Sequence, residues 1–393
     1  MSGRSIRLVI ALAMLGSPAI ADQPDGDVYP LWDSAVPVPK GADAPLLEGV
    51  RFSVIKKREP EIDGYSWLHG VAAVWHGNTL FTFWGHNKGH ENTPTEVAQE
   101  RRSTDADRTC GPVRMIASHT KSEARSHGVI LSHAGSLWVF LGRFGAKYAN
   151  TRMEAFRLDE DAKPQLWEPK GVVAEHIWPC DEPRRMADGN WILAGMDVKP
   201  QGAWAQPAVA ISRGDDFTKW DTVLVPVPKD LEKIWGESTV IVAPGELVII
   251  ARAGWKHDYA LASTSTDHGR TWSPVRWTNL PMPCTKVYGG VLSTGQRFLI
   301  GTTVADHGRQ RHPLTIAVTK PGENQFCRVF RIRDDVFPEG PGESVEGARL
   351  SYPYAVEHAG SLYVVYSNDG NRNRNLNSAE MAVVPVASLA TPE

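Results

Sequence analysis

The sequence contains few cysteines, little net charge and no long apolar segment beyond its first residues. Its four cysteines lie far apart and match no zinc-binding spacing, which excludes a cysteine-stapled scaffold and a cysteine-based zinc module. The formal net charge is only −3, which gives no basis for binding nucleic acid or an anionic membrane surface. Beyond the first residues, no segment is long and apolar enough to span a bilayer. We therefore expect neither a nucleic-acid partner nor a membrane span.

The N-terminus has the pattern of a secretory signal peptide. Arg4 and Arg7 precede an apolar run at 8–15, and a small-x-small cleavage site ends at Ala21. We expect cleavage there, a mature single domain over 22–393, and a secreted or periplasmic location. Export would permit disulfides, whose pairing the sequence leaves open.

Turn residues and tryptophan are abundant, with 35 glycines, 28 prolines and 14 tryptophans, which is typical of an all-β protein. Six segments share one pattern: an apolar run, a Gly-centred turn and a second apolar run. Their turn glycines recur every 50–65 residues, at Gly77, Gly135, Gly189, Gly245, Gly295 and Gly360. Six similar hairpins at that period predict a six-bladed β-propeller; a β-sandwich with hairpins of chance similarity is the alternative.

A second motif lies between these hairpins. Ser265–Trp272 reads S-x-D-x-G-x-T-W, in which Asp and Gly close a tight turn and Trp packs back between blades. Ser103–Cys110 repeats it with Asp and Cys in place of Gly and Trp, and Ser212–Trp220 is a looser copy. The copies are one and two blades apart, which supports the propeller independently.

Residues at equal distances from the six turns are expected to meet at one rim of the propeller axis. The residues eight positions before the turn glycines are His69, His127, Asp181, Glu237, Val287 and Tyr352. Five of the six are polar or ionisable, in strands that are otherwise apolar. Glu182, Lys286 and Tyr288 are chain neighbours of this set.

The returning strands bring further residues to the same rim. Arg252 lies seven residues after its turn and Arg143 eight, so we expect them beside Glu237 and His127. Glu237 and Arg252 would then face an axial pocket together. A purely structural ion pair is the alternative.

These motifs resemble the sialidase family, six-bladed propellers marked by Asp-box repeats, over nearly the whole mature chain. Glu237 and Arg252 match the family's Glu and Arg at the two ends of a blade-four hairpin, and Tyr352 in "SYPYAVEH" matches its nucleophilic Tyr. Arg311 in "GRQRHPLTIAV" is similar to a further family Arg, with Arg309 as its rival. The resemblance implies that Glu237 draws the proton from Tyr352 while the arginines hold a substrate carboxylate. The chemistry is consistent, because a phenol of pKa about 10 is a poor nucleophile without such help.

Blade one departs from the family pattern. His69 in "WLHGVAAVW" stands where the family has its first carboxylate-binding Arg, and no Asp precedes the first Asp-box in the place of the family's acid/base. The loop "GHNKGHENTPTEVAQERRS" offers Glu91 and Glu96 instead, and Lys88 and Asn87 of this loop are predicted to bind ligand. The remaining cations suit an acidic sugar such as a uronate or a sulfated residue.

Three functions stay open at this point. The first is an exo-acting retaining glycosidase with Tyr352 as nucleophile, Glu237 as its base, Glu91 or His69 as acid, and an arginine clamp. The second is a polysaccharide lyase or sugar dehydratase acting on uronic acids, with His69, His127 or Tyr352 moving the C5 proton. The third is a non-catalytic glycan-binding propeller.

The predicted partner is an acidic oligosaccharide or polysaccharide, with no cofactor and no metal. The predicted substrate-binding residues are Arg252, Arg311, His127, Lys88, Asn87, Glu182, Lys286, Tyr288 and Arg143. The sugar, the linkage and the oligomeric state stay open.

Overall fold

The computed structural model describes residues 26–105, 109–198, 205–231 and 234–391. Within them the chain forms six antiparallel sheets, and the innermost strand of each sheet contacts its counterparts in neighbouring sheets. The predicted all-β, six-bladed propeller is confirmed. The predicted signal peptide lies outside the described residues. In the described part of the chain, no helix has the length and apolar character needed to cross a bilayer.

Strand β1 (Arg51–Lys56) and the one-turn helix α1 (Pro60–Asp63) precede the first blade. From the axis outward, blade one contains β2 (Trp67–His76), β3 (Thr79–Asn87), β4 (Val97–Ser103) and β5 (Arg114–Ala117). Blade two contains β6 (Glu123–His133), β7 (Ser136–Gly145), β8 (Arg152–Asp159) and β9 (Leu166–Glu175). Blade three contains β10 (Trp178–Pro179) with β11 (Arg184–Arg185), then β12 (Trp191–Asp197), β13 (Gln206–Arg213) and β14 (Asp216–Leu224). The inner strand of blade three is thus split in two.

Blades four to six follow the same order from the axis outward. Blade four contains β15 (Ser238–Ala243), β16 (Glu246–Ala251), β17 (Tyr259–Ser265) and β18 (Arg276–Pro281). Blade five contains β19 (Tyr288–Val291), β20 (Arg297–Gly301), β21 (Leu314–Thr319) and β22 (Phe326–Arg333). Blade six contains β23 (Leu350–His358), β24 (Ser361–Asn368) and β25 (Ser378–Pro385). Short 3₁₀ segments cover Ala146–Tyr148 and Val386–Leu389.

The six glycine turns are as the sequence predicts. Each joins the two innermost strands of one blade, and all six glycines have a positive φ between +55° and +85°. Residues with a Cβ rarely adopt this left-handed conformation, which explains why glycine recurs at these six positions.

The ring is closed by a strand that the sequence reading did not identify. β1 pairs antiparallel with β25, so the sixth sheet has the order β1-β25-β24-β23 and combines the two ends of the described chain. The segment before β1 runs along the outside of blades four and five, where Tyr29 and Trp32 form single bridges to β18 and β22.

The Asp-box turns have the expected internal bonding. In Ser265–Trp272, Asp267 accepts hydrogen bonds from the backbone N–H and the hydroxyl of Thr271, and Trp272 is buried with its indole N–H donating to the Gly269 carbonyl. Asp105 and Thr109 repeat this arrangement in the first copy. These turns lie on the outer strands and therefore support the fold rather than the axial site.

Candidate active site

A cavity of about 360 Å³ lies at the propeller axis. It opens at the end of the inner hairpins that is opposite to the glycine turns. Its walls combine carboxyl groups, guanidinium groups and aromatic rings. The lining residues are Trp67, Glu91, Asn92, Glu96, His127, Tyr148, Trp178, Met196, Val198, Ala205, Trp235, Glu237, Arg252, Trp255, Arg311, Arg349, Tyr352, Arg374 and Asn375. A volume of this size fits a small ligand such as a sugar residue.

Blade four positions an acid and a base face to face in this cavity. The register of β15 and β16 pairs Ser238 with Ala251, and the next residue along, Arg252, donates its backbone N–H to the Glu237 carbonyl at 2.9 Å. The side chains also meet, with Arg252 Nη1 2.5 Å from Glu237 Oε2, and both are almost fully buried. The spacing around the Pro-Gly turn therefore placed this pair correctly.

Tyr352 of blade six completes a three-residue contact. Its hydroxyl donates to Glu237 Oε1, and Arg252 Nη1 donates to the tyrosine oxygen at 2.9 Å. Tyr352 has φ +54°, and the β23–β24 register shifts between Ser351 and Tyr354. A left-handed φ is strained for a tyrosine, and such strain is typical of functional sites because the surrounding structure must enforce it.

The electrostatic surroundings keep Tyr352 protonated at rest. Burial is the largest cause that raises the pKa of Tyr352 well above its ordinary value, and the Glu237 carboxylate raises it further. The Arg252 and Arg311 guanidinium groups act in the opposite direction. The phenol is therefore neutral in the resting site, beside a proton acceptor and two cations that favour phenolate.

Arg311 lies in the cavity wall, and its rival Arg309 does not. Arg311 is buried, donates from Nη2 to the Cys284 carbonyl at 3.0 Å, and lies 6.0 Å from the centre of the Tyr352 ring. Burial and the neighbouring Arg252 lower the pKa of Arg311. Arg309 is exposed and pairs with Asp258 at 2.8 Å, outside the cavity lining.

Two carboxyl groups from the loop between β3 and β4 line the opposite wall. Burial raises the pKa of Glu91 to about 7, against the opposing effect of a hydrogen bond with the Asn375 side chain. Glu96 is fully buried, accepts the Asn92 backbone N–H at 2.6 Å, and has its pKa raised to about 8, mainly by burial. At mildly acidic pH both groups can therefore act as proton donors.

Of the two axial histidines, only His127 lines the cavity. His69 lies in the wall behind Tyr352, with 3.8 Å between the ring centres, and its Nδ1 is 3.2 Å from the Ser367 hydroxyl. Burial lowers the pKa of both histidines, that of His127 to about 3, so both rings are neutral. The structure thus places His69 against the candidate nucleophile rather than in the cavity.

The loop residues Lys88 and Asn87 lie outside the cavity lining. Lys88 is exposed, with its ammonium 5.7 Å from the Tyr65 ring centre. Asn87 is buried and donates to the His90 carbonyl at 2.7 Å and to the Thr93 hydroxyl at 2.6 Å. Asn87 therefore orders the loop that carries Glu91.

Arg143 and Lys286 are also displaced from the main cavity. Arg143 faces Arg125 across blade two rather than His127, and it forms ion pairs with Glu123 and Glu154. Lys286 is buried deeper along the axis, where its Nζ donates to the Pro353 carbonyl at 3.3 Å and lines a small inner chamber.

Glu182 and Tyr288 open onto the other end of the axis. They line a separate cavity of about 390 Å³ together with Val242, Val291 and Glu357, which lie near the glycine turns. Glu182 and Tyr288 therefore do not lie at the same rim as Glu237 and Tyr352, contrary to the prediction from the spacing. Burial raises the pKa of Glu182 to about 7.

Several residues that line the cavity were not predicted from the sequence. Trp255, which is 49% exposed, follows Arg252 closely along the chain, and both buried arginines lie 5.4 Å from its ring centre. Arg374 and Asn375 come from the loop after β24, whose Asn375 carbonyl accepts the Leu68 backbone N–H of blade one at 3.2 Å. A tryptophan three residues after Arg252 is a signal that the sequence does offer, whereas the loop after β24 offers none beyond its asparagines and arginines.

Among the described residues, no group of three His, Cys, Asp or Glu side chains converges as a metal site. The four cysteines form no disulfide with one another. What the cavity can do chemically follows from its side chains: a buried phenol with a carboxylate acceptor, a carboxyl group of pKa about 7, and two buried guanidinium groups.

Comparison with known proteins gives one family and a group of similar folds. The BNR repeat-like domain family matches residues 78–364. A Trypanosoma rangeli sialidase, in complex with 2,3-difluorosialic acid as a covalent intermediate, has a TM-score of 0.64 at 11% identity and covers 88% of this chain and 60% of that one. The Hadza microbial sialidase Hz136 has a TM-score of 0.65 at 14% identity, with 86% and 69% covered.

A protein of unknown function from Dyadobacter fermentans has a TM-score of 0.63 at 15% identity, with 86% of this chain and 99% of that one covered. No curated protein has a significant match to this chain. The chain spans about 60% of the length of the Trypanosoma rangeli sialidase. At these identities the similarity establishes a sialidase-like propeller fold.

Proposed function

Because this chain belongs to the BNR repeat-like domain family, we propose that it is an exported, exo-acting glycosidase that removes a terminal acidic sugar from a glycan. The observation that carries the proposal is the contact of Tyr352, Glu237 and Arg252 at the cavity wall. Binding a glycan does not require a buried phenol that donates to a carboxylate. The covalent intermediate of the Trypanosoma rangeli sialidase belongs to the class of intermediate proposed here.

In the first step, the phenol oxygen of Tyr352 attacks the anomeric carbon of the terminal sugar. The phenol proton passes to Glu237 as the bond from the anomeric carbon to the glycosidic oxygen breaks. Because the resting phenol is neutral, it loses its proton only while the new bond forms. The Arg252 guanidinium, 2.9 Å from the phenol oxygen, stabilises the negative charge that develops there.

Glu91 acts as the general acid and then as the general base. With a pKa of about 7, its carboxyl group is largely protonated in mild acid and donates its proton to the leaving oxygen. In the second step the resulting carboxylate takes a proton from water, the water oxygen attacks the anomeric carbon, and the bond to Tyr352 breaks. Glu237 returns the proton to the phenolate. One glycosidic bond and one water are consumed, and the anomeric configuration is retained.

Uncompensated positive charge supports an acidic sugar as the substrate. Glu237 pairs with Arg252. Arg311 is only 6% exposed, yet within the described part of the chain it forms no ion pair. A buried charge without a partner is unfavourable, and a carboxylate ligand offsets that cost. Guanidinium groups bind carboxylates through two parallel hydrogen bonds, which also orients the sugar.

The first test uses aryl glycosides of acidic sugars. The wild-type protein releases the aryl alcohol, and Tyr352→Phe reduces kcat/KM roughly a thousandfold or more, because the nucleophile is lost. Tyr354→Phe is the matched control: it removes a hydroxyl from the same strand that donates to the Ile130 carbonyl at 3.3 Å, and it keeps the activity. Full turnover by Tyr352→Phe would contradict the proposed mechanism.

Product analysis separates the alternative functions. Treatment with a 2,3-difluorinated acidic sugar is expected to label the peptide that contains Tyr352 with the mass of the sugar less HF, because the tyrosine oxygen displaces the anomeric fluoride and loses its own proton. An unsaturated uronate product would instead indicate a lyase, for which His127 is the histidine in the cavity. Binding of acidic glycans without any turnover would indicate a binding protein.

A further inference from the structure

The mouth of the axial cavity carries two arginines that the proposed reaction does not use, Arg349 and Arg374. Arg349 immediately precedes β23, and Arg374 lies in the segment 369–377 after β24, here called the 369–377 loop. Leu350 pairs with Asn368, so both segments leave blade six at the same end of its inner hairpin.

The 369–377 loop holds a defined conformation across the cavity mouth. Asn373, Arg374 and Asn375 all have φ between +54° and +63°, which is unfavourable for residues with a Cβ and requires external support. That support comes from blade one, from the segment between β22 and β23, and from the loop itself. Arg372 pairs with Glu343 at 2.8 Å and donates to the Leu376 carbonyl, and Asn375 accepts the Leu68 backbone N–H.

The two arginines differ from their neighbours in how little negative charge they contact. Arg374 is exposed, and in the described part of the chain it forms no hydrogen bond or ion pair. Among the described carboxylates, Asp369 is the one ion-pair partner of Arg349, at 3.9 Å, and the Arg349 side chain is 38% exposed. Arg372 of the same loop, by contrast, is neutralised by Glu343.

A substrate with one carboxylate would leave this charge unmatched. Among the described residues, the wall carries four guanidinium groups. The two buried ones, Arg252 and Arg311, lie beside Tyr352 and would bind the carboxylate of the reacting sugar. Of the three carboxyl groups that line the cavity in the described part of the chain, Glu91 and Glu96 are mostly protonated in mild acid. The positive charge at the mouth therefore faces the part of the substrate that follows the reacting sugar.

We infer that Arg349 and Arg374 form a second anion subsite, which binds a carboxylate or sulfate group on the sugar next to the terminal one. This inference rests on the proposed function for the position of the terminal sugar. It narrows the substrate class to oligosaccharides that carry an anionic group on each of their last two residues. A guanidinium pair recognises both kinds of oxyanion, and the test separates them.

The test compares substrates with and without a second anion on the sugar next to the terminal one. Sialyllactose carries one carboxylate, disialyllactose carries a second carboxylate on the next sugar, and sialyllactose sulfated on galactose carries a sulfate there. A glucuronyl disaccharide and its sulfated form provide a second pair. The wild-type protein is expected to prefer the doubly anionic member of at least one pair about five- to tenfold in kcat/KM, mainly through KM, and to lose the preference in high salt.

Variants assign the preference to the two arginines. Arg374→Gln and Arg349→Gln are each expected to reduce the ratio between doubly and singly anionic substrates about fivefold, and Arg374→Lys restores part of it. Arg309→Gln is the matched control, because it removes a partly exposed, ion-paired arginine outside the cavity, and it leaves the ratio unchanged. A ratio that Arg374→Gln and Arg349→Gln do not change would overturn the inference.

Binding to the Tyr352→Phe variant, measured by calorimetry with the same compounds, separates the two proposals. An Arg374-dependent preference in binding, without turnover by the wild-type protein, supports the subsite and contradicts the glycosidase. Turnover without such a preference does the reverse. Failure of every compound to bind contradicts the subsite as well.

Discussion

The assignment of Glu91 as general acid makes a quantitative prediction about pH. Burial raises the pKa of this carboxyl group from 4.5 to about 7, so about nine tenths of it is protonated at pH 6 and about one tenth at pH 8. The reaction needs the protonated form to break the bond to a sugar leaving group. The kcat/KM for an oligosaccharide is therefore expected to fall about tenfold per pH unit above pH 7.

The leaving group separates acid catalysis from a general loss of structure. Glu91→Gln is expected to reduce kcat/KM for an oligosaccharide by about a hundredfold or more, because a sugar alkoxide is a poor leaving group without a proton. For an aryl glycoside with an acidic phenol the loss is expected to be less than about tenfold, since that phenolate leaves unassisted. The assay is product release from both substrates between pH 5 and about 9.

Glu182→Gln is the matched control for this prediction. Glu182 has the same pKa of about 7 for the same reason, but it lies at the other end of the axis. Its replacement is expected to leave the alkaline limb unchanged. If Glu91→Gln kept that limb, or lost the same factor on both substrates, the assignment of Glu91 would be refuted.

Two further predictions concern Glu96 and Arg311. Burial raises the folded-state pKa of Glu96 to about 8, so its contribution to stability is complete below about pH 4.5 and is lost as the pH rises through 8. The free energy of unfolding of the wild-type protein, measured by denaturation, should therefore fall by a few kcal/mol between pH 6 and about 9. In Glu96→Gln this part of the fall should be absent. An identical decline in the variant would contradict this. Arg311→Lys should raise KM for an acidic glycoside about tenfold or more, because an ammonium group cannot form the two parallel hydrogen bonds, and an unchanged KM in steady-state kinetics would remove Arg311 from the anion clamp.

The repeat made the fold and the centre of the site predictable from sequence. Equal spacing from equivalent turns places residues at equivalent heights, so Glu237, Arg252 and Tyr352 were brought together although Tyr352 lies about a hundred residues beyond Arg252. Counting along the chain is sufficient here because strands have a fixed rise per residue. The register is regular throughout the inner hairpin of blade four, and in blade six it is regular from Tyr354 to the turn, with a shift between Ser351 and Tyr354.

In blade three an irregular inner strand makes the predicted position of the rim residue wrong. The inner strand of blade three is split into β10 and β11, so the residue eight positions before its glycine, Asp181, does not face the cavity. Its carboxylate instead binds Arg184 at 2.6 Å and the Val240 backbone N–H at 2.8 Å. Counting along the chain cannot anticipate this, because the split changes both the rise and the facing of the side chains.

Loops were the other gap. The position of Glu91 before the first Asp-box made it a predicted site residue, whereas no sequence motif predicts that Arg374 and Asn375 lie in the cavity. Their position depends on successive left-handed residues and on contacts to blade one, which no period encodes. The further anion subsite therefore became visible only once the chain was folded.

The closure of blade six has a consequence for when the site comes into existence. β1 pairs with β25 across about 330 residues, so the sheet that carries Tyr352 is incomplete until β25 has formed. Contacts this distant along a chain form late, because the loop between them must first be ordered. The axial cavity is therefore expected to be completed late in folding, once β25 has joined β1.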